Sequence, residues 1–330
     1  MKKALQQRTD KNKEGVIAQL SRMKSSIDWF QFGAVGLLIL IWLIMYFSTP
    51  HFGNKFNQIN LMRQASVLMV AAAAQTFAVI AGGLNIAVGS SVALSAVVSA
   101  AVSLKFGTAA GYIAGVLTGV LTGFLLGVAV GIFRVDATIG TVGLMAVAQG
   151  LAFQVTRGRP VTGLPQTYRI VGMGMWGGVP ILVVVALSTI ILVHIFLSYT
   201  VWGRNIYAVG VDEEAARLAG IKVRWYKILS QVLSVSLAAW AGVLLSSRIN
   251  TGIATIGAGM HLEAIAAVIL GGTALFSGEG NVLKALIGVM IITILNNGMD
   301  LLHVSHYLRD ILLGLIVISV VFINTTLKNR

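Results

Sequence analysis

Residues 109–132 read AAGYIAGVLTGVLTGFLLGVAVGI, a run of 24 residues without a single charge. As a helix rising 1.5 Å per residue it is about 36 Å long, enough to cross the ~30 Å hydrocarbon layer of a bilayer. Glycine recurs in it at every fourth position, at Gly111, Gly115, Gly119, Gly123, Gly127 and Gly131. A strip without side chains lets neighbouring backbones approach closely, the usual device for packing helices in lipid, where the hydrophobic effect offers no drive for association. Four residues overshoot a 3.6-residue turn, so the strip winds round the helix and should serve two neighbours in succession. Packing accounts for the strip more simply than substrate contact does, and it predicts a central helix.

Outward from this run, similar apolar stretches lie at 30–48, 62–82, 86–104, 136–156, 180–199, 226–247, 263–277, 285–301 and 308–324. With 109–132 they make about ten spans, the shortest of them, 263–277, short enough to be tilted or broken. Composition agrees: 57% of the residues are hydrophobic and 11% charged, against roughly 45–50% and about 25% in soluble domains. The expected fold is therefore an all-α integral membrane protein. The organisation expected is a polar segment over 1–29 and one transmembrane domain over 30–330. Cysteine is absent, which removes disulfides and thiolate metal sites.

A net charge of +13 invites a nucleic-acid reading, but the placement of the charges argues for a membrane. With the N-terminus inside, sixteen of the 24 Lys and Arg fall on the inner side, in 1–29, at Arg134, in 200–227, and at Lys284, Lys328 and Arg330. That is the positive-inside asymmetry, and it places both termini in the cytoplasm. The first apolar run lacks a small-residue cleavage pattern after it and reads as a retained helix. Residues 1–29 read either as a surface segment, helical from Val16 to Met23, or as a loose basic tail drawn to anionic lipid. Trp29, Trp42, Trp176, Trp202 and Trp225 lie mostly near span ends, as interface anchors do.

Two glycine-rich breaks interrupt the apolar pattern, at Gly82–Ser90 and from Gly271-Gly272-Thr273 to Gly278-Glu279-Gly280. Unwound backbone is tolerated at membrane depth only inside protein or beside a watery cavity, so paired breaks in two halves point to a substrate path. The halves enter the membrane from opposite sides, which permits an inverted repeat. Gln75, Asn85, Ser90, Ser91, Asn296 and Asn297 supply neutral donors and acceptors suited to hydroxyl-rich solutes, or else hydrogen bonds between helices. Glu263, beside His261, is the main ionisable exception, and lines an outer vestibule or pairs structurally at the membrane edge. His194, His303 and His306 are scattered, without metal-ligand spacing.

Several segments resemble one family in order and spacing. Gly83-Leu84-Asn85-Ile86-Ala87-Val88-Gly89-Ser90 resembles the Gly-Ile-Asp-Leu-Ser-Val-Gly-Ser signature of the ribose-type permeases of bacterial ABC importers. Gly203-Arg204-Asn205-Ile206-Tyr207-Ala208-Val209-Gly210, followed by Ala215-Ala216-Arg217-Leu218-Ala219-Gly220-Ile221, resembles that family's main cytoplasmic loop. The run Ala264–Thr273 and Leu295-Asn296-Asn297-Gly298 are similar to its C-terminal half. The resemblance implies a pore-forming subunit of the inner membrane, paired with a second permease, usually an identical copy, above two ATP-hydrolysing subunits. An extracytoplasmic binding protein would deliver the solute.

No G-x-x-x-x-G-K-[ST] loop occurs in the chain, so ATP and Mg are expected on a partner chain, with no cofactor and no catalysis on this one. The segment 200–227 is the expected contact with that ATPase. Within it Asp212, Glu213 and Glu214 begin, and Arg217, Lys222 and Arg224 end, a stretch whose charges suit a helix dipole. With the resemblance, residues 211–220 become a coupling-helix candidate, flanked by Gly203 and Arg204 and containing Ala215 and Gly220.

The chain departs from the family pattern where Asn85 replaces Asp, His261 and Glu263 replace Glu and Asp, Lys284-Ala285 replace Gly-Thr, and His303 replaces Gly. These changes loosen the expectation of ribose to a monosaccharide or sugar-like solute. An ion-coupled secondary transporter is the alternative, disfavoured by the scarcity of carboxylates in the spans.

Overall fold

The computed structural model describes residues 32–273, 278, 280–305, 307–309, 311–316, 318 and 319. The segment 1–29, part of the second glycine-rich break and the end of the tenth apolar stretch lie outside the described residues. Helices α1 (Phe32–Ser48), α2 (Lys55–Ile80), α3 (Val88–Phe106), α4 (Thr108–Gly131) and α5 (Ala137–Thr156) fill the first half. After a connection come α7 (Ile181–Tyr199), α8 (Val201–Val211), α9 (Glu213–Leu218), α10 (Val223–Ile249), α11 (Met260–Leu270) and α12 (Val282–Leu301); α6 (Ile170–Met173) belongs to the connection. Residues 307–309 and 311–316 are again helical. Seven of these helices are long and apolar enough to cross a membrane, while α1 and α11 are shorter apolar helices.

Side-chain caps set many of the boundaries by satisfying N–H groups that a helix start leaves without partners. Asn54 accepts from Phe56 N at the start of α2, Asp136 from Thr138 N and Ile139 N at α5, and Asn281 from Leu283 N at α12. Gly107, at φ +84°, makes the reversal between α3 and α4.

α2 and α10 form the middle of the bundle. Every residue of α2 from Val70 to Ile80 is buried, and the Ser234 hydroxyl of α10 donates to the Ala74 carbonyl of α2 at 2.7 Å. α10 packs against α3 and α4, and α2 packs against α11 and α12. α10 is about 40 Å long and gives a scale of depth: Asn85 meets it at Ser234, Ser95 at Ala239, and Tyr168 at Ser246.

The glycine strip does serve two neighbours. A Cβ on Gly111 or Gly115 would collide with α3, at Ser103 and at Ser99. One on Gly119, Gly123, Gly127 or Gly131 would collide with α10, at 2.9 Å from Val235 O, 3.0 Å from Val232 Cα, 2.9 Å from Ile228 O and 2.7 Å from Arg224 O. The expectation that α4 is central is corrected. Ile113, Leu117, Leu121, Phe124 and Leu125 on its far side are at least half exposed, because a smooth face fixes what one side touches and leaves the other free. Gly123→Leu is expected to cost more than the ~1–3 kcal/mol of ordinary overpacking, since the atoms met include α10 backbone. The check is the yield of membrane-inserted, monodisperse protein, and a wild-type yield contradicts this packing.

Residues 271–273, 278 and 280 are non-helical, as the glycine-rich pattern leads one to expect, and 274–277 and 279 lie outside the described residues. A further non-helical segment, 250–259, between α10 and α11, touches the start of α3. It runs down along α3, with Gly252 against Ala96, Val97 and Ala100, and Gly257 against Gly89. Its far end is tied to the connection by a backbone pair between Val161 and Gly252. α11 therefore begins partway along the bundle and is only 11 residues long.

The connection from 157 to 180 closes this end of the bundle. A 3-10 turn (Gln166–Arg169) and α6 lead to a hairpin of β1 (Met175–Trp176) and β2 (Val179–Pro180). Tyr168 is fully buried, its hydroxyl 2.9 Å from those of both Ser99 and Ser246, and burial pushes its phenol above its ordinary range.

Candidate functional site

The first unwound segment leaves α2 at Ala81 and re-forms helix at Val88. Its N–H and C=O groups have lost their helical partners and find others in protein, as burial demands. Thr141 of α5 receives the Ile86 N–H at 3.2 Å and donates to the Leu84 carbonyl at 3.1 Å. The Gln75 amide, turned so that its nitrogen donates to the Asn85 carbonyl at 3.0 Å, accepts the Asn85 N–H at 3.3 Å. The Asn85 side chain donates to Ser234 Oγ at 2.8 Å. Gln75, Asn85 and Ser234 thus splint the break to both central helices.

Ser90 and Ser91 open α3 just beyond. Ser90 Oγ turns back to the Ala87 carbonyl, while Ser91 Oγ and Asn85 Oδ1 have no hydrogen-bond partner among the described residues. One residue into α3 beyond Val88, the start of that helix touches the 250–259 segment: a Cβ on Gly89 would run into Gly257 O, and one on Gly257 into Gly89 O. Only glycines allow backbones this close.

The structure gathers the other polar candidates elsewhere. Glu263, in the first turn of α11, accepts from Arg309 Nη2 at 2.6 Å and from Asn296 Nδ2 at 3.0 Å, with Arg309 also 3.8 Å from Asp300. Of the two readings of Glu263, the geometry is that of a pairing between helices. Asn297 exchanges reciprocal 2.9 Å amide bonds with Asn57 of α2. No hydrogen bond joins either group to Asn85 or Ser90 among the described residues.

At the far end of the molecule, α8 and α9 form the surface the sequence singled out. Asp212 accepts from Glu214 N and Ala215 N at 2.9 and 3.0 Å to start α9, and Gly220, at φ +83°, ends it. Glu214 pairs with Arg217, holding the guanidinium above its ordinary range, and Glu213 pairs with Lys227 of α10. Ala216 alone of this helix is buried. The exposed Arg204 and the buried Gly203 fall on α8, a separate helix that turns Gly203, Ile206 and Val209 inward.

α8 touches both interrupted regions. A Cβ on Gly210 would strike Ile80 O, the last residue of α2, and one on Gly278 would lie within van der Waals overlap of Val211. The Tyr207 hydroxyl donates to Gly280 O at 2.6 Å, and burial pushes that phenol up. α8 thus contacts the end of α2, where the first break begins, and Gly278 and Gly280.

Ser234, Gly257, Thr141 and Gly210 escaped sequence reasoning as a group. Each sits in an element whose own pattern is ordinary, and only the close glycine spacing at 252, 257 and 259 signalled unusual backbone. Arg63 was also missed: it is buried on α2 and donates to Met173 O at 2.7 Å, next to Gly172, which packs on the backbone of Arg248 of α10. Neither arginine has an acidic partner among the described residues.

Comparison with known proteins follows this geometry closely. The family profile described as "Branched-chain amino acid transport system / permease component" matches residues 57–321. The chain is 35% identical over 293 residues to the ribose import permease protein RbsC of Bacillus subtilis, covering 88% of this chain and 91% of that one. It is 35% identical to the probable ABC transporter permease protein YphD of Escherichia coli, over 90% of each chain. To the L-arabinose transport system permease protein AraH of Escherichia coli it is 31% identical, over 89% of this chain and 90% of that one. No solved structure matches it significantly. With a match that runs from α2 into the C-terminal helical residues, the chain belongs to this permease family, as a ribose-type permease of the ABC importers.

Proposed function

We propose that this chain forms the translocation pathway by which a monosaccharide or sugar-like solute is imported at the expense of ATP hydrolysed by a partner. One observation carries the reading: the non-helical segment 250–259 meets the first turn of α3 at Gly89, just past the unwound 81–87, and that unwound segment is touched at its α2 end by the helix that leads to α9. Unwound backbone at that depth belongs to a substrate path. The named relatives that import ribose and arabinose support the solute class.

In this reading the protein is a multi-pass protein of the bacterial inner membrane with about ten crossings, in one domain over 30–330, preceded by a polar cytoplasmic segment over 1–29. Both termini and the α9 end face the cytoplasm, with ABC ATPase subunits against α9 and 200–227 as the coupling loop. Packing supports an inverted repeat: α10 lies on α3 and α4 as α2 lies on α11 and α12, the exchange expected if α2–α4 and α10–α12 are related by a two-fold in the membrane plane. ATP and Mg sit on the partner, and this chain carries no cofactor. A second, identical permease completes the pore within the lipid. The binding protein docks at the opposite end, beside the 157–180 connection.

Neutral hydroxyl and amide groups near Asn85 suit a cargo that must be passed on rather than held. The test is to identify the ligand of the partner binding protein by calorimetry against a panel of pentoses, hexoses and polyols, then to measure uptake of that ligand. A sugar bound and imported is expected. A binding protein selective for amino acids contradicts the solute class.

A further inference from the structure

At the α9 end a cavity of about 410 Å³ opens between the first turn of α8, the 219–222 turn and the first turn of α10. Trp202, Trp225 and Tyr226 wall it, with Asn205 and Lys222. Trp202 meets Tyr226 edge to face with ring centroids 6.2 Å apart, and the Asn205 amide donates to the Tyr226 hydroxyl at 2.7 Å. The two tryptophans are 47% and 50% exposed. The cavity lies where α7 gives way to α8 across Thr200, the level at which a crossing helix leaves the hydrocarbon and at which tryptophan is enriched.

Its charge is unbalanced. Glu213 is taken by Lys227, Glu214 by Arg217, and Asp212 caps α9. Lys222 in the wall and Arg204 and Arg224 nearby have no acidic partner among the described residues. Half-exposed aromatic walls at the membrane interface, beside surplus positive charge, match a molecule with an anionic head and an apolar body.

We infer that this cavity binds the headgroup of an anionic glycerophospholipid, its phosphate at Lys222 and its glycerol against Trp202 and Trp225. The inference rests on the placement of the α9 end at the cytoplasmic membrane surface. An ATPase side chain is the competing occupant, and the two half-exposed tryptophans favour the lipid, because tryptophan is enriched where helices leave the hydrocarbon.

The test uses the full chain alone, equilibrated with equal amounts of phosphatidylglycerol and phosphatidylcholine and examined by native mass spectrometry. It reads no transport, so it fails or succeeds independently of the proposed import function. Phosphatidylglycerol is expected to be retained in preference, with Lys222→Gln weakening retention about fivefold, the worth of one basic residue at an anionic surface. Trp202→Ala is expected to weaken it as well, and Lys105→Gln, an exposed lysine at the other end, to leave it unchanged. Three results overturn the inference: equal retention of the two lipids, displacement of the lipid by soluble glycerol 3-phosphate, or oxidative labelling of Trp202 that is blocked by added ATPase subunits and not by lipid.

Discussion

Gly257→Ala is expected to abolish solute uptake while leaving protein in the membrane. The added Cβ would overlap the Gly89 carbonyl and lie 3.1 Å from Gly89 Cα, and both are backbone, with no flexible side chain to yield. Interiors respond to such crowding by shifting whole elements, at ~1–3 kcal/mol or more. Here the elements shifted are the first turn of α3, directly after the unwound 81–87, and the 250–259 segment, whose register is the candidate gate. Gly89→Ala meets Gly257 O in the same way and should behave alike. Thr255→Ala, on the same segment but exposed, is the control and should transport normally. Uptake at the wild-type rate in Gly257→Ala, at equal membrane abundance, removes the contact from the pathway.

Gly210→Val is expected to uncouple hydrolysis from transport. Its side chain would land on Ile80 O and push α8 off the end of α2, so that movement of α9 no longer reaches the first break. Vesicles carrying this variant with its ATPase partner should still hydrolyse ATP and should take up no solute above background. Asp212→Ala is the milder companion, removing a cap worth ~1 kcal/mol from a helix of six residues that has little stability of its own. Normal uptake in Gly210→Val assigns the transmission to some other contact.

Much of this architecture was legible in the sequence because its physics is local. Apolar runs of membrane length mark spans wherever they fall, and seven of the stretches read this way became full-length helices. The four-residue glycine period predicted one smooth face shared by two neighbours, and α3 and α10 occupy it. The acidic start and basic end of 211–220 predicted a short capped helix, and Asp212 and Gly220 bound it.

What stayed hidden depends on partners distant in sequence. Glycines at 111–131 do not say what lies behind them, so α4 turned out to have an exposed far side. Beyond its glycines, the stretch Thr251–Gly259 carries no signal that separates it from an ordinary turn, and only its contact with α3 at Gly89, Ala96 and Val97 reveals its place. Glu263 reads equally as a vestibule group or as a paired carboxylate at the membrane edge, and its partner Arg309 lies 46 residues away, beyond the reach of any local pattern. Asn85 offers the same ambiguity between cargo and packing, and Ser234 and Gln75 decide its hydrogen bonds while its buried Oδ1 has no partner among the described residues.

The most direct test of the central claim reconstitutes the chain with its ATPase subunits in proteoliposomes and measures accumulation of radiolabelled solute delivered by the binding protein. Accumulation is predicted only when ATP, Mg, ATPase and binding protein are all present, and it should stop when a non-hydrolysable nucleotide replaces ATP. Accumulation by the chain alone, driven by an imposed ion gradient without ATP, would contradict the account.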